Sequence, residues 1–192
     1  MIAAHHLFWI TSRAAGTLAL LLSSASVALG LTMSSSGRGA NRRDLRTLHE
    51  SMSLAALVMV AVHGASLLGD AYLNPGIAGI AIPFTGSYRP LWTGIGILAG
   101  YGLAALGLSY YARDRIGPAR WKRLHRLTAV FWIAAIVHTL GAGTDAKQVW
   151  FLVPAGAFVF PAATLLVLRW LTRAADPATV YRLSNPGDPS GR

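Results

Sequence analysis

The chain has no cysteine, and that absence excludes a disulfide framework, a thiolate zinc site, a cysteine-held iron–sulfur cluster and a cysteine nucleophile together. Charge is scarce as well. Only 12% of the 192 residues are charged, about half the share a soluble domain carries. Acid is scarcer than base: 7 Asp and Glu stand against 17 Lys and Arg, for a formal net charge of +10. Such an excess suggests nucleic acid when composition is read without position. Position removes that reading, and no nucleic-acid partner is expected.

What the chain has in quantity is apolar sequence, 54% of its residues. A hydrocarbon core about 30 Å thick needs roughly 20 apolar residues at about 1.5 Å rise each. Five windows free of Lys, Arg, Asp and Glu approach that length: Ala14 to Met33, Ser51 to Gly69, Leu91 to Ala112, Leu127 to Ala142 and Gln148 to Leu168. The fourth is short and is expected to extend back through Leu124 and His125. The fifth carries Pro154 and Pro161, which should kink it and are tolerated in membrane helices. The expected fold class is all-α, an integral membrane bundle of about five transmembrane helices. Residues 1–175 would form this domain and 176–192, rich in Pro and Gly, a disordered cytoplasmic tail.

The charges then fall into place. Arg38, Arg42, Arg43 and Arg46 lie between the first two spans. Arg113, Arg115, Arg120, Lys122, Arg123 and Arg126 lie between the third and fourth, and Arg169, Arg173, Arg182 and Arg192 follow the fifth. Arg13, Arg89 and Lys147 are left on the other side. By the positive-inside rule the N-terminus is outside and the C-terminus cytoplasmic. A cleaved signal peptide would reverse the Arg38 to Arg46 cluster, and the apolar run continues past the small residues at Ala25 and Ala28, so the first span is read as retained. The small size and absence of an organelle signal favour a bacterial plasma membrane. The outer loop from Asp70 to Pro90 is rich in Gly, Pro and apolar residues, as a lid over the outer end of the bundle would be. Gly94, Gly96, Gly100 and Gly102 sit inside an apolar span with no strand before them, so they read as close helix packing and not as a nucleotide fingerprint.

Four histidines stand in two of the spans. His49 and His63 are 14 residues apart, about 21 Å along a helix axis, and His125 and His138 are 13 apart, about 19.5 Å. Both spans run outward, so His49 shares a level with His125 and His63 with His138. Polar side chains at that depth need partners. Imidazoles from facing helices can take both axial positions of a haem iron, and a helix bundle can bury the flat macrocycle. Interhelical hydrogen bonding, a proton relay and a haem-free transporter or channel with a histidine-lined pathway are the rivals. The relay is weakened because the five windows hold no Asp or Glu. Ideal helical geometry leaves a difficulty: 14 residues return within about 40° of the starting face, whereas 13 fall about 140° away. The fourth helix is therefore distorted or approaches the two sites from different sides. Gly64, beside His63, would let a macrocycle come close. The carbonyls of Met59 and Ala134, one turn back, are the expected acceptors for the ring N–H groups of His63 and His138.

The pattern His49-x13-His63 and His125-x12-His138, in helices separated by one span, resembles the ferric reductase-like transmembrane domain family. That family includes the membrane part of NADPH oxidases, metalloreductases and the haem-binding subunit of the periplasmic methionine sulfoxide reductase system. The likeness runs from about Phe8 to Arg173, with support from Ser12–Arg13 and the run Arg123-Leu-His-Arg-Leu127. It implies two stacked b-type haems, His49 and His125 ligating the inner one and His63 and His138 the outer. It also implies that Phe131, with Trp132 as the neighbouring alternative, lies between the haems, and that Arg13 meets the outer propionates. Arg46, Arg123 and Arg126 are candidates for the inner propionates. His5 and His6 fit no ligand spacing. Larger members carry a flavin and nicotinamide module after the last helix, and the residues beyond Arg173 are too few to fold as one. The expected electron donor is thus separate, a flavoprotein, free reduced flavin or quinol, and the acceptor is external: a ferric chelate, oxygen or a redox partner.

Overall fold

A computed structural model of the chain describes residues 2–35, 42–71 and 73–174. The expected tail, 176–192, and Arg38, Arg182 and Arg192 lie outside the described residues. Every regular element among them is helical. In chain order these are α1 (Ile2–Ser35), α2 (Arg42–Ser66), a 3₁₀ turn at Leu67–Gly69, α3 (Gly76–Ala81), α4 (Pro90–Leu108), a second 3₁₀ turn at Ser109–Ala112, α5 (Arg113–Ile116), α6 (Pro118–His125), α7 (Thr128–Ala142) and α8 (Val149–Ala174).

Five stretches are long and apolar enough to cross a membrane: His6–Ser34, Arg43–Gly69, Pro90–Ile116, Pro118–Ala142 and Val149–Thr172. They contain the first four windows read from the sequence, and the fifth except for Gln148. The fourth reaches back past His125 because α6 and α7 follow one another with a short break. Pro154 and Pro161 lie inside α8, which continues through both. Much of the apolar surface points outward, with Phe160 75% and Trp170 70% exposed, as helices solvated by lipid should be. Interior packing is concentrated where α1 meets α7 and α8. Leu20, Phe151 and Ala155 form a buried cluster joined by Ile136 and Val159. Beside it the fully buried Trp132 donates its indole N–H to Ser24 Oγ at 3.0 Å. That bond satisfies the one polar atom of an otherwise apolar anchor. Elsewhere α1 runs along α2 and α4 along α7.

The break between α6 and α7 bears on the 13-residue spacing. Leu127 N–H bonds to Leu124 O at 2.9 Å and Val130 N–H to Leu127 O at 3.0 Å, which is 3₁₀ spacing. At about 120° per residue instead of about 100°, this overwinding turns His138 about 40–60° toward the face that His125 occupies, part of the gap of about 140°. Of the two alternatives, the helix is distorted. A second turn precedes α6, where Gly117 adopts φ +89° and hands over to Pro118 at the first helical position, a residue suited to start a helix.

The connection between the second and third spans closes one end of the bundle. The Tyr101 hydroxyl donates to Ala81 O at 2.6 Å, Tyr88 to Ala142 O at 3.1 Å and Arg89 Nη1 to Gly141 O at 2.5 Å. Phe84 lies over Gly94, and Pro75, Ile80, Ser87 and Tyr88 line that end of the cavity within.

Candidate functional site

A cavity of about 1480 Å³ runs between the α1–α2 pair and the α4–α7 pair. Its volume exceeds the roughly 300–1,000 Å³ of a site for one small ligand. All four histidines line it. His49 faces His125 with ring centroids 6.2 Å apart, and His63 faces His138 at 6.3 Å. The interplanar angles are 84° and 71°. Between the two levels the wall is mostly apolar, with Leu20, Leu57, Val60 and Leu103 and the small polar side chains of Thr17 and Ser23.

Three of the four imidazoles are held the same way. His49 Nδ1 lies 2.9 Å from Ser26 O, His63 Nδ1 2.8 Å from Ser12 O, and His138 Nδ1 2.9 Å from Trp92 O. A carbonyl only accepts, so Nδ1 carries the proton in each and Nε2 keeps its lone pair. The hydroxyls of Ser12 and Ser26 stand 3.0 Å from the same Nδ1 atoms. These acceptors correct the expectation that Met59 and Ala134 would supply them. Carbonyls one turn back within a helix already take the helical N–H groups, and the rings turn instead toward α1 and α4.

The approach needs space on the accepting helix, and glycine provides it four residues after each acceptor. A Cβ on Gly16 would stand 2.9 Å from His63 Nδ1, one on Gly30 3.3 Å from His49 Cε1, and one on Gly96 2.3 Å from His138 Nδ1. His125 departs from the pattern. The residue four after Leu106, whose carbonyl lies near His125, is Tyr110, and His125 Nδ1 is buried without a hydrogen bond of good geometry. Its ring is stacked on Trp121 instead, with centroids 4.9 Å apart and planes 23° from parallel.

The ends of the cavity are polar. At the end near His63 and His138 Arg13 forms a two-point ion pair with Asp145, its Nε 2.6 Å from Oδ2 and its Nη2 on Oδ1. The guanidinium also lies 4.0 Å from the Trp9 ring centroid. At the other end Arg43, Arg46, Lys122, Arg126 and Arg169 line the opening. Phe131 packs over Gly102 of α4, where a Cβ would come within 2.2 Å of its ring, and Trp132 is the buried anchor against α1. His6 is exposed; the side chain of His5 lies outside the described residues.

Ser12, Ser26, Gly16, Gly30, Trp92, Gly96, Trp121 and Asp145 were not singled out by the sequence as parts of the site, apart from Ser12 as supporting text and Gly96 as a packing glycine. A signal was present. Ser12-x3-Gly16 recurs as Ser26-x3-Gly30 after 14 residues, the spacing of His49 and His63.

The donor set limits what can be held. Among the described residues no group of three or more His, Asp or Glu side chains could hold a metal ion. Two imidazoles alone do not complete the shell of a bare divalent ion, whereas a haem iron brings its in-plane nitrogens and needs axial ligands. The spacing agrees. With metal–imidazole bonds of about 2.0–2.1 Å, two trans imidazoles have ring centroids about 6.3 Å apart, the separation found at both levels. Nδ1 bonded to a carbonyl is also the arrangement that fixes the tautomer of a ligating histidine.

Neither the curated proteins nor the solved structures offer a match to this chain. Residues 15–136, however, match the family described as ferric reductase like transmembrane component. The matched stretch contains His49, His63 and His125; Arg13 and His138 lie two residues beyond its two ends. Five apolar helices and a transmembrane family together make this a multi-pass membrane protein. The match spans more than half of the sequence, and the chain belongs to the ferric reductase like transmembrane component family.

Proposed function

We propose that the chain carries electrons across a membrane through two b-type haems, one held by His49 and His125 and the other by His63 and His138. The observation that carries this reading is the pair of facing imidazoles, 6.2 and 6.3 Å between centroids, repeated at two levels of one apolar cavity. Family membership supports transmembrane electron transfer as the class of activity. Bound haem supplies a reversible one-electron couple at each level.

The residues of the chain do the rest. Ser12, Ser26 and Trp92 hold protons on three Nδ1 atoms and aim the Nε2 lone pairs into the cavity. Leu57, Val60 and Leu103 keep the space between the levels apolar. The basic side chains at the end near His49 and His125 suit carboxylates, and Arg13 does so at the opposite end once released from Asp145. The charge bias of the connections supports a cytoplasmic His49–His125 site and an external N-terminus, and the small size favours a bacterial plasma membrane. A flavoprotein, free reduced flavin or quinol donates on the inner side. A ferric chelate, oxygen or a redox partner accepts on the outer side. His63 and His138 would hold the outer haem from both sides, and the chemistry it would supply to an acceptor there is outer-sphere electron transfer.

The test is the absorption spectrum and haem content of the purified chain. Two haems per chain with bis-imidazole spectra are expected, and His63→Ala or His138→Ala should remove the outer one first. Protein that takes up no haem when haem is supplied overturns the proposal, and solute flux in liposomes without Soret absorbance would favour a transporter.

A further inference from the structure

The two sites are built alike except at His125. At His49, His63 and His138 the ring is backed by a carbonyl 2.8–2.9 Å away. Such a bond raises the basicity of the ligating nitrogen and fixes the ring. At His125 the corresponding acceptor belongs to Leu106, the place taken by glycine elsewhere is Tyr110, and Nδ1 is buried without a good bond. Trp121 restrains the plane of the ring by stacking and is itself tied by its indole N–H to Ser109 Oγ at 3.2 Å. Stacking orients the ring without strengthening its lone pair.

The backbone adds a second asymmetry. His125 is the last residue of α6, directly before the 3₁₀ break, whereas His138 lies within α7 and His49 and His63 lie within α2. A ligand at a helix end can withdraw by moving a short segment. A ligand inside a helix must take the helix with it.

From these two features we infer that His125 is the displaceable axial ligand, so that the inner site alone admits a small neutral metal ligand of the carbon monoxide type. This rests on the haem reading above. In the exchange the bond from His125 Nε2 to ferrous iron breaks and one to the carbon of carbon monoxide forms, with no change in oxidation state. Trp121 acts here as a positioning residue.

The experiment adds carbon monoxide to the dithionite-reduced, haem-loaded full chain and follows the Soret band. One haem in two should react, and the other serves as an internal control for folding. Trp121→Ala should speed the reaction about 10-fold, within the range for loss of a supporting residue. Reaction of neither haem, equal reaction of both, or a rate indifferent to Trp121→Ala overturns the inference. So does a rate that responds to Gly96→Ala in place of Trp121→Ala, since that puts the exchange at His138. A chain that binds no haem at all fails at the proposed function instead.

Discussion

The glycines behind the imidazoles make a graded perturbation. In Gly96→Ala the new Cβ would stand 2.3 Å from His138 Nδ1, where ordinary contact begins at 3.4 Å. The ring must therefore retreat by about 1 Å. Its 2.9 Å bond to Trp92 O then stretches beyond hydrogen-bonding distance. In Gly16→Ala the retreat of His63 is about half as large, and in Gly30→Ala the 3.3 Å approach to His49 needs almost none. Loss of a supporting hydrogen bond costs about 10–100-fold in the affinity of a ligated metal. Gly96→Ala should lose the outer haem by that factor, Gly16→Ala by less, and Gly30→Ala should stay within about 3-fold of the parent. Gly156→Ala, with nothing within 4 Å of its Cβ, is the neutral control. Haem stoichiometry and retention against a competing apoprotein read the series. A Gly30→Ala loss equal to that of Gly96→Ala, or a Gly96→Ala variant that keeps both haems at parental affinity, would refute the cradle argument.

Ser24→Ala strands the buried Trp132 N–H and should lower stability by about 1–3 kcal/mol, measured as detergent-solubilised protein surviving a heating series. Asp145→Asn breaks the two-point pair with Arg13 and should cost about 1.5–3 kcal/mol, the range for hydrogen bonds to charged groups; an unchanged heating profile would count against the pair as a tether. Tyr88→Phe removes the bond to Ala142 O and should raise protease cleavage within residues 70–90 severalfold, while cleavage elsewhere stays at the parental rate.

The span positions and the histidine levels were legible in the sequence because both follow from one-dimensional quantities, apolar length and rise per residue. The loss of periodicity between His125 and His138 was legible as a conflict, and its answer lay in backbone bonding around Leu127 that no side-chain pattern announces. The acceptors of the ring protons were misplaced for a similar reason. The choice between Met59 O on the same helix and Ser12 O on a neighbour depends on which way a ring turns, and that is decided by the space left at Gly16. Asp145 stood next to the fifth window as an ordinary loop acid; its pairing with Arg13, 132 positions away, is a product of packing.

The acceptors on α1 and the histidines on α2 share a 14-residue repeat, so these two helices are locked like a ruler against its scale: a slip of one residue would misalign both levels at once. The other pair of helices holds its own two rings by the same device, tightly at one level and loosely at the other. The cavity is the seam between two such pairs of helices, joined on one side by the Trp132–Ser24 contact and by α8. A bridging cofactor at each level would then be a rivet through that seam.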